Sequence, residues 1–135
     1  MINGIAQNNL ETIYHCVQNG VDVNQQDQFG NTPLHWAAYN NQLGTVKYLV
    51  QHGARLETPN FTELQTPLHW ASIGGHIRIV DFLIQHQTFL HSHTYLHVHQ
   101  QNSLPSHQQL NIQEMVNKKD TRGYTPLHCA AQNDK

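Results

Sequence analysis

The sequence TPLHWA at residues 66–71 decides the fold, because the chain contains this motif three times. TPLHWA also occurs at residues 32–37, and TPLHCA follows at residues 125–130. Each copy is typical of a helix start, since the Thr hydroxyl can cap the first turn and Pro at the first helical position gives up no hydrogen bond. The Leu, the Trp or Cys and the Ala then supply an apolar face. The repetition predicts a series of similar helical units.

A second helix is predicted between successive copies of the motif and also ahead of the first copy. Apolar residues recur there at positions i, i+3, i+6 and i+7, which is typical of a helix with one buried side. The three segments are residues 10–17, 43–50 and 77–84. Their spacings are 33 and 34 residues, so the second spacing has one additional residue. We assign that residue to a longer hairpin at residues 60–65.

A period near 33 residues with T-P-L-H-x-A resembles the ankyrin-repeat family. The resemblance implies an all-α ankyrin-repeat solenoid, with paired antiparallel helices and short hairpin loops. No second helix follows the third motif, so the solenoid is expected to be truncated at its C-terminus. The expected units are a partial repeat at 1–27, a repeat at 28–59, a repeat at 60–120 with a His/Gln-rich insertion at 87–115, and the start of a further repeat at 121–135.

Within that family, the chain is most similar to the ankyrin region of DHHC-type protein S-acyltransferases. The likeness rests on LHWAAYNN at residues 34–41, VKY at 46–48, and the TPLHWA motif at 66–71 with GH at 75–76. The Asp-His-His-Cys motif of those enzymes is absent from this sequence, so no catalytic residue and no cofactor are expected. The resemblance implies a protein-interaction module or, as the alternative, the N-terminal substrate-recruiting segment of a membrane S-acyltransferase.

The composition of the chain indicates which classes of partner and which cellular compartment to expect. Only 12% of the 135 residues are charged, and the net charge is −2 with 7 Lys and Arg, which argues against nucleic-acid binding. The sequence has no apolar run of membrane-spanning length and no basic, then apolar leader. A cytoplasmic chain without its own membrane attachment is therefore expected, on the cytosolic face of a membrane if it belongs to an acyltransferase. Cys16 and Cys129 fall on apolar repeat positions and are expected to be buried, reduced thiols.

Ankyrin proteins bind partners on a concave face of hairpin tips and first-helix side chains, and the resemblance implies such a face here. The candidate partner-binding residues are Gln28, Phe29, Asn31, Tyr39, Phe61, Glu63, Leu64, Gln65, Ile73, Arg122 and Tyr124. Aromatic and aliphatic side chains at solvent-facing tips favour a protein interface. The alternative is that some of them pack beneath neighbouring hairpins.

Two further candidates come from the acyltransferase resemblance. In those relatives an Asn on one first helix and the Trp of the following repeat grip a short Pro-containing motif, and Asn40 and Trp70 occupy these positions. Trp offers a flat apolar face to a proline ring, and an Asn amide can bind a peptide backbone. The alternative is that Trp70 fills space between repeats, as Leu would. Trp36 lies one repeat earlier and is taken to lie outside the pair.

Histidines form two groups. The motif histidines are predicted to tie the hairpin backbones together by hydrogen bonds; they are His35, His69 and His128. In the insertion, alternating histidines would put four imidazoles on one edge of an extended chain, a spacing that Zn²⁺ or Cu²⁺ accepts. These candidate ligands are His91, His93, His97 and His99. No Cys, Asp or Glu lies among them, so a flexible loop or an unspliced intron is the favoured interpretation.

Overall fold

The computed structural model describes residues 1–87 and 114–132, and every regular element within these ranges is a helix. The helices are α1 Ile2–Ala6, α2 Leu10–Gln18, α3 Pro33–Tyr39, α4 Leu43–Gln51, α5 Pro67–Gly74, α6 at residues 77–87, α7 at residues 114–117 and α8 Pro126–Gln132. The all-α prediction is confirmed. Most of the predicted insertion at 87–115 lies outside the described residues.

The helices stack as successive pairs. The first helices form one row, in which α1 packs against α3, α3 against α5, and α5 against α8. The second helix packs on the first within the early pairs, α1 with α2 and α3 with α4, and α2 also contacts α4. These contacts join neighbouring pairs, which is the arrangement of a repeat solenoid.

The TPLH motif starts each first helix by a reciprocal pair of hydrogen bonds. The backbone N–H of His35 donates to Thr32 Oγ1 at 3.4 Å, and the backbone N–H of Thr32 donates to His35 Nδ1 at 3.0 Å. Thr66 and His69 repeat both bonds, at 3.4 and 3.2 Å, and the third copy has the same pattern. This capping box lies within four consecutive residues, so the local sequence alone specifies where the helix begins.

The far side of the same imidazoles joins one repeat to the next. His35 Nε2 donates to the carbonyl of Gln65 at 2.8 Å, and His69 Nε2 donates to the carbonyl of Tyr124 at 3.0 Å. Because Nδ1 accepts from the Thr backbone, the hydrogen of the neutral ring lies on Nε2. Both imidazoles are fully buried. The prediction that the motif histidines tie the hairpin backbones is confirmed for His35 and His69.

The apolar stripes of the second helices supply much of the core. Ile13, Val46 and Leu83 have no exposed surface. The exception is Ile77, which is 76% exposed because no described helix covers that side of α6. Met115 in α7 is buried in the same core, although the sequence placed it in the insertion.

The first helix of the fourth repeat, α8, is exposed for the same reason, because no described helix packs over its outer side. Leu127 in α8 is 78% exposed, whereas its equivalents in α3 and α5, Leu34 and Leu68, are buried. Ile77 and Leu127 border an apolar groove of about 350 Å³ between α6 and α8.

Candidate functional site

Each hairpin loop ahead of a TPLH motif is organised by one side chain at its start. Asp27 Oδ1 accepts the N–H groups of Phe29 and Asn31, both at 2.9 Å. Asp120 and Asn60 accept two backbone N–H groups in the same way in their own loops. These bonds hold the tips of the three hairpins in defined positions.

The Asp120 carboxyl has a pKa well below its ordinary value. Burial on its own raises the pKa of this carboxyl, but hydrogen bonds from Tyr124, Arg122 and Gln65 outweigh burial and hold the pKa at about 2. The Arg122 guanidinium lies 2.9 Å from Asp120 Oδ2 and also stacks over the Tyr124 ring at 4.8 Å. The charge of Arg122 is therefore satisfied within its own hairpin.

Neighbouring hairpins are also bonded to each other through their backbones. The N–H of Phe61 donates to the carbonyl of Phe29, and the N–H of Thr121 donates to the carbonyl of Glu63, both at 2.8 Å. The Phe61 ring lies directly against Gly30, where a Cβ would come within 2.6 Å of the ring. The hairpins therefore form a connected row, and Gly30 is needed for the approach of Phe61.

Two indole rings from successive repeats meet beside this row. The Trp70 ring contacts Trp36 at a centroid distance of 5.1 Å and an angle of 90°, and contacts Tyr39 at 5.6 Å and 69°. Such edge-to-face contacts are favourable for aromatic rings. The rings border an open cavity of about 350 Å³, whose remaining lining residues are Gln65 and Ile73.

The polar atoms of both indoles are already bonded to the hairpins. Trp36 Nε1 donates to Asp27 Oδ2 at 3.2 Å, and Trp70 Nε1 donates to Gln65 Oε1 at 3.0 Å. Gln65 Nε2 in turn donates to Asp120 Oδ2 at 3.2 Å. The network fixes the ring orientations, so the cavity presents the apolar surfaces of the indoles.

Four predicted binding residues come together in this cavity, namely Tyr39, Gln65, Trp70 and Ile73. Asn40 ends α3 directly after Tyr39, is exposed, and lies beside the cavity without lining it. Trp36, which the sequence interpretation left outside the pair, lines the cavity. The 34-residue spacing between Trp36 and Trp70 could have predicted this contact, because stacked repeats bring equivalent positions of neighbouring first helices together.

The other predicted residues divide by exposure. Those exposed at the hairpin tips are Gln28, Phe29, Phe61, Glu63, Leu64 and Arg122, and Tyr124 is half-buried. Asn31 is buried, with its amide nitrogen 3.3 Å from Asp27 Oδ2 and its Oδ1 3.0 Å from the Asn60 amide nitrogen. Asn31 therefore supports the loops from inside.

Residues 1–87 and 114–132 contain neither a metal-binding cluster nor a helix of membrane-spanning character. No group of three or more His, Cys, Asp or Glu side chains in these ranges is placed to hold a metal ion. The candidate ligands of the insertion, His91, His93, His97 and His99, lie outside the described residues. No described helix is long and apolar enough to cross a bilayer.

Comparison with known proteins agrees with this architecture. The family profile for ankyrin repeats, in three copies, matches residues 2–94. Similar proteins include the palmitoyltransferase akr1 of Schizosaccharomyces pombe, 42% identical over 50 residues, which are 36% of this chain and 8% of that protein. The putative palmitoyltransferase ZDHHC13 of Danio rerio is 44% identical over 48 residues, 36% of this chain and 7% of that protein.

The similarity extends beyond the palmitoyltransferases. Acyl-CoA-binding domain-containing protein 1 of Arabidopsis thaliana is 40% identical over 45 residues, 33% of this chain and 13% of that protein. The matched segments thus span only a small part of each relative. The family profile, by contrast, covers more than half of this chain. The chain therefore belongs to the ankyrin-repeat family and is a protein-interaction module.

Proposed function

We propose that this module binds a short Pro-containing peptide in the cavity between Trp36 and Trp70. The observation that carries the proposal is the cavity itself: two indole rings 5.1 Å apart border about 350 Å³ of open space. Their N–H groups are bonded to Asp27 and Gln65, so the walls facing a ligand are apolar. Pro-containing segments dock in aromatic-lined grooves of this kind, because a proline ring is apolar and has no N–H to leave unsatisfied.

Asn40 extends the proposed site at the edge of the cavity. Its side chain is exposed, and the side-chain amide makes no hydrogen bond within residues 1–87 and 114–132. A primary amide has both donor and acceptor atoms, which suits it to pair with a peptide backbone. We assign Asn40 the role of holding the peptide chain while the indoles hold the proline ring.

In the whole protein, we propose that the module recruits substrates to a membrane S-acyltransferase from the cytosolic face. The support is that two of the similar proteins are named as palmitoyltransferases. This chain supplies no Asp-His-His-Cys motif, so acyl transfer would require another part of a longer protein. Sequencing the transcript beyond the codon for Lys135 tests this role. A frame without transmembrane helices and a Cys-rich DHHC segment would leave an interaction module alone.

The peptide site is tested with the purified chain and fluorescent peptides that differ only in a central Pro or Ala. Trp70→Leu keeps an apolar side chain at a half-buried position, so the fold should be retained while the aromatic wall is lost. The affinity for the Pro peptide should fall by about thirtyfold, which is about 2 kcal/mol, the size of an interface hot spot. Trp36→Leu should act in the same direction, and Asn40→Ala should have a smaller effect.

Phe82→Ala is the matched control, because Phe82 is a half-buried aromatic residue on α6 that contacts Lys47 and His86 and does not line the cavity. Circular dichroism must first show that every variant remains helical, since truncating a core aromatic to Ala costs about 3–5 kcal/mol. A folded Trp70→Leu variant that binds the Pro peptide as tightly as the wild type would refute the site.

A further inference from the structure

We infer that the hairpin of the third repeat carries a second subsite for the same peptide, formed by Phe61, Glu63 and Leu64 and here called the tip subsite. It takes an apolar side chain of the peptide together with a neighbouring Lys or Arg. The inference rests on the proposed function, because it assumes that the peptide also occupies the cavity between Trp36 and Trp70.

The first observation is the backbone of Leu64. The position two residues before the Thr of each TPLH motif is left-handed in all three hairpins, with φ of 81° at Gly30, 54° at Leu64 and 79° at Gly123. Glycine adopts this region freely, whereas a side chain makes it unfavourable. Leu64 is also 48% exposed, so burial only partly compensates for the strain. Strained, exposed residues of this kind are characteristic of binding sites.

The second observation is the extra residue in the same hairpin. The backbone bond that closes this loop runs from the N–H of Asn60 to the carbonyl of Gln65, five residues apart. The corresponding bonds from Asp27 and Asp120 span four residues. The longer loop presents Phe61, which is 64% exposed. Leu64 stands where the other hairpins have Gly, and Phe61 stands where they have Gln28 and Thr121, so both positions add apolar surface at this tip.

The charge at this tip indicates the partner's chemistry. Glu63 lies between Phe61 and Leu64 in the chain and is exposed. The nearby Arg122 forms its ion pair with Asp120 and none with Glu63, although the Glu63 charge also acts on Arg122. Because Arg122 is paired with Asp120, the Glu63 carboxylate can still pair with a cation of the partner, beside two apolar side chains.

The tip subsite and the cavity share one hairpin. Gln65 follows Leu64 directly, and its Oε1 accepts the hydrogen bond from Trp70 Nε1. A peptide in the cavity therefore lies beside the loop segment that leads to the tip. An extended peptide advances about 3.3 Å per residue, so one short segment can occupy both places.

The test uses the purified chain and short peptides with one fixed Pro, in which a Leu-Lys pair is moved residue by residue to either side. Peptides with Ser-Ser at the same places are the reference. One spacing should bind about tenfold more tightly than its reference, which is about 1.4 kcal/mol. Leu64→Gly should remove this gain without lowering the melting temperature, because Gly relieves the left-handed strain. Glu63→Gln should remove about two- to threefold of the gain, the size of an exposed ion pair.

Leu127→Ala is the control, since it truncates an exposed leucine that lines the groove between α6 and α8 and should leave every affinity unchanged. If no spacing gives a gain that depends on Leu64, the tip subsite is refuted, while weaker binding of all Pro peptides by Trp70→Leu still supports the cavity. If Trp70→Leu changes nothing, the proposed function fails. A change in self-association on Leu64→Gly, without loss of the peptide gain, would make the tip a contact between copies of the chain and would also refute the inference.

Discussion

Acidification should destabilise this module by protonating its two buried motif histidines, His35 and His69. The effect of His35 can be worked out from the structure. The Nδ1 atom of His35 accepts the N–H of Thr32 at 3.0 Å, and its Nε2 donates to the carbonyl of Gln65 at 2.8 Å. A proton on Nδ1 would set two donors against each other and place a charge in the core. The neutral imidazole is therefore the form that folds.

The size of the effect follows from the pKa of His35. Burial lowers this pKa from 6.5 to about 4, against smaller opposite effects of the Gln65 carbonyl and of Asp27. The unfolded chain therefore binds the proton first as the pH falls. The stability that neutral His35 contributes is fully present above pH 6.5. As the pH falls from 6.5 to about 4, the free energy of unfolding decreases by about 3 kcal/mol. Burial lowers the pKa of His69 as well, so His69 contributes in the same direction.

Urea denaturation followed by circular dichroism at several pH values between about 7.5 and about 4.5 measures this loss. The lowered pKa values of Asp27 and Asp120 place their own contributions below this window. His35→Gln is the comparison: it should be less stable than the wild type near neutral pH and should lose less stability on acidification. A wild-type free energy of unfolding that stays constant across the window would refute the argument, as would an equally steep loss in His35→Gln.

Two further predictions concern stability and use the same urea assay. Leu68→Ala should cost about 2–5 kcal/mol because Leu68 is buried, whereas Leu127→Ala should change stability by less than about 0.5 kcal/mol because that leucine is 78% exposed. Equal losses would show that a further element covers α8 in solution. Asp120→Asn should cost about 1–3 kcal/mol near pH 7, since the carboxylate accepts bonds from Tyr124, Arg122 and Gln65. That difference should shrink as the pH falls below about 3.8, and a difference that persists near pH 2 would contradict the role of the charge.

The features that the sequence predicts well are those built from short-range interactions. The capping box of Thr32 and His35 spans four residues, so the local sequence is enough to predict its hydrogen bonds. The apolar stripes likewise need only the period of a helix. The link from His35 to Gln65 crosses 30 residues, yet it was predictable because the motif recurs at a constant interval.

The features that the sequence interpretation missed depend on the relative placement of distant residues. Trp36 faces Trp70 only once neighbouring first helices are stacked, and no pattern within either helix shows that contact. Met115 joins the core through the short helix at residues 114–117, beyond a segment with no helical period. The left-handed backbone of Leu64 was accessible from the sequence, because Gly30 and Gly123 hold the same place in the other hairpins.

Comparison of the three motif copies separates the residues that build the stack from those that make it selective. The position directly after the motif His is occupied by Trp36, Trp70 and Cys129 in the three copies, and Cys129 is buried. Only the first two copies can place indole against indole, so one aromatic cavity forms between successive motif copies in the described chain. The hairpin beside that cavity is the same one that carries one additional residue, the exposed Phe61 and the strained Leu64. Differences between copies thus concentrate on one face and one hairpin, which is where a module built from equivalent repeats can distinguish one partner from another.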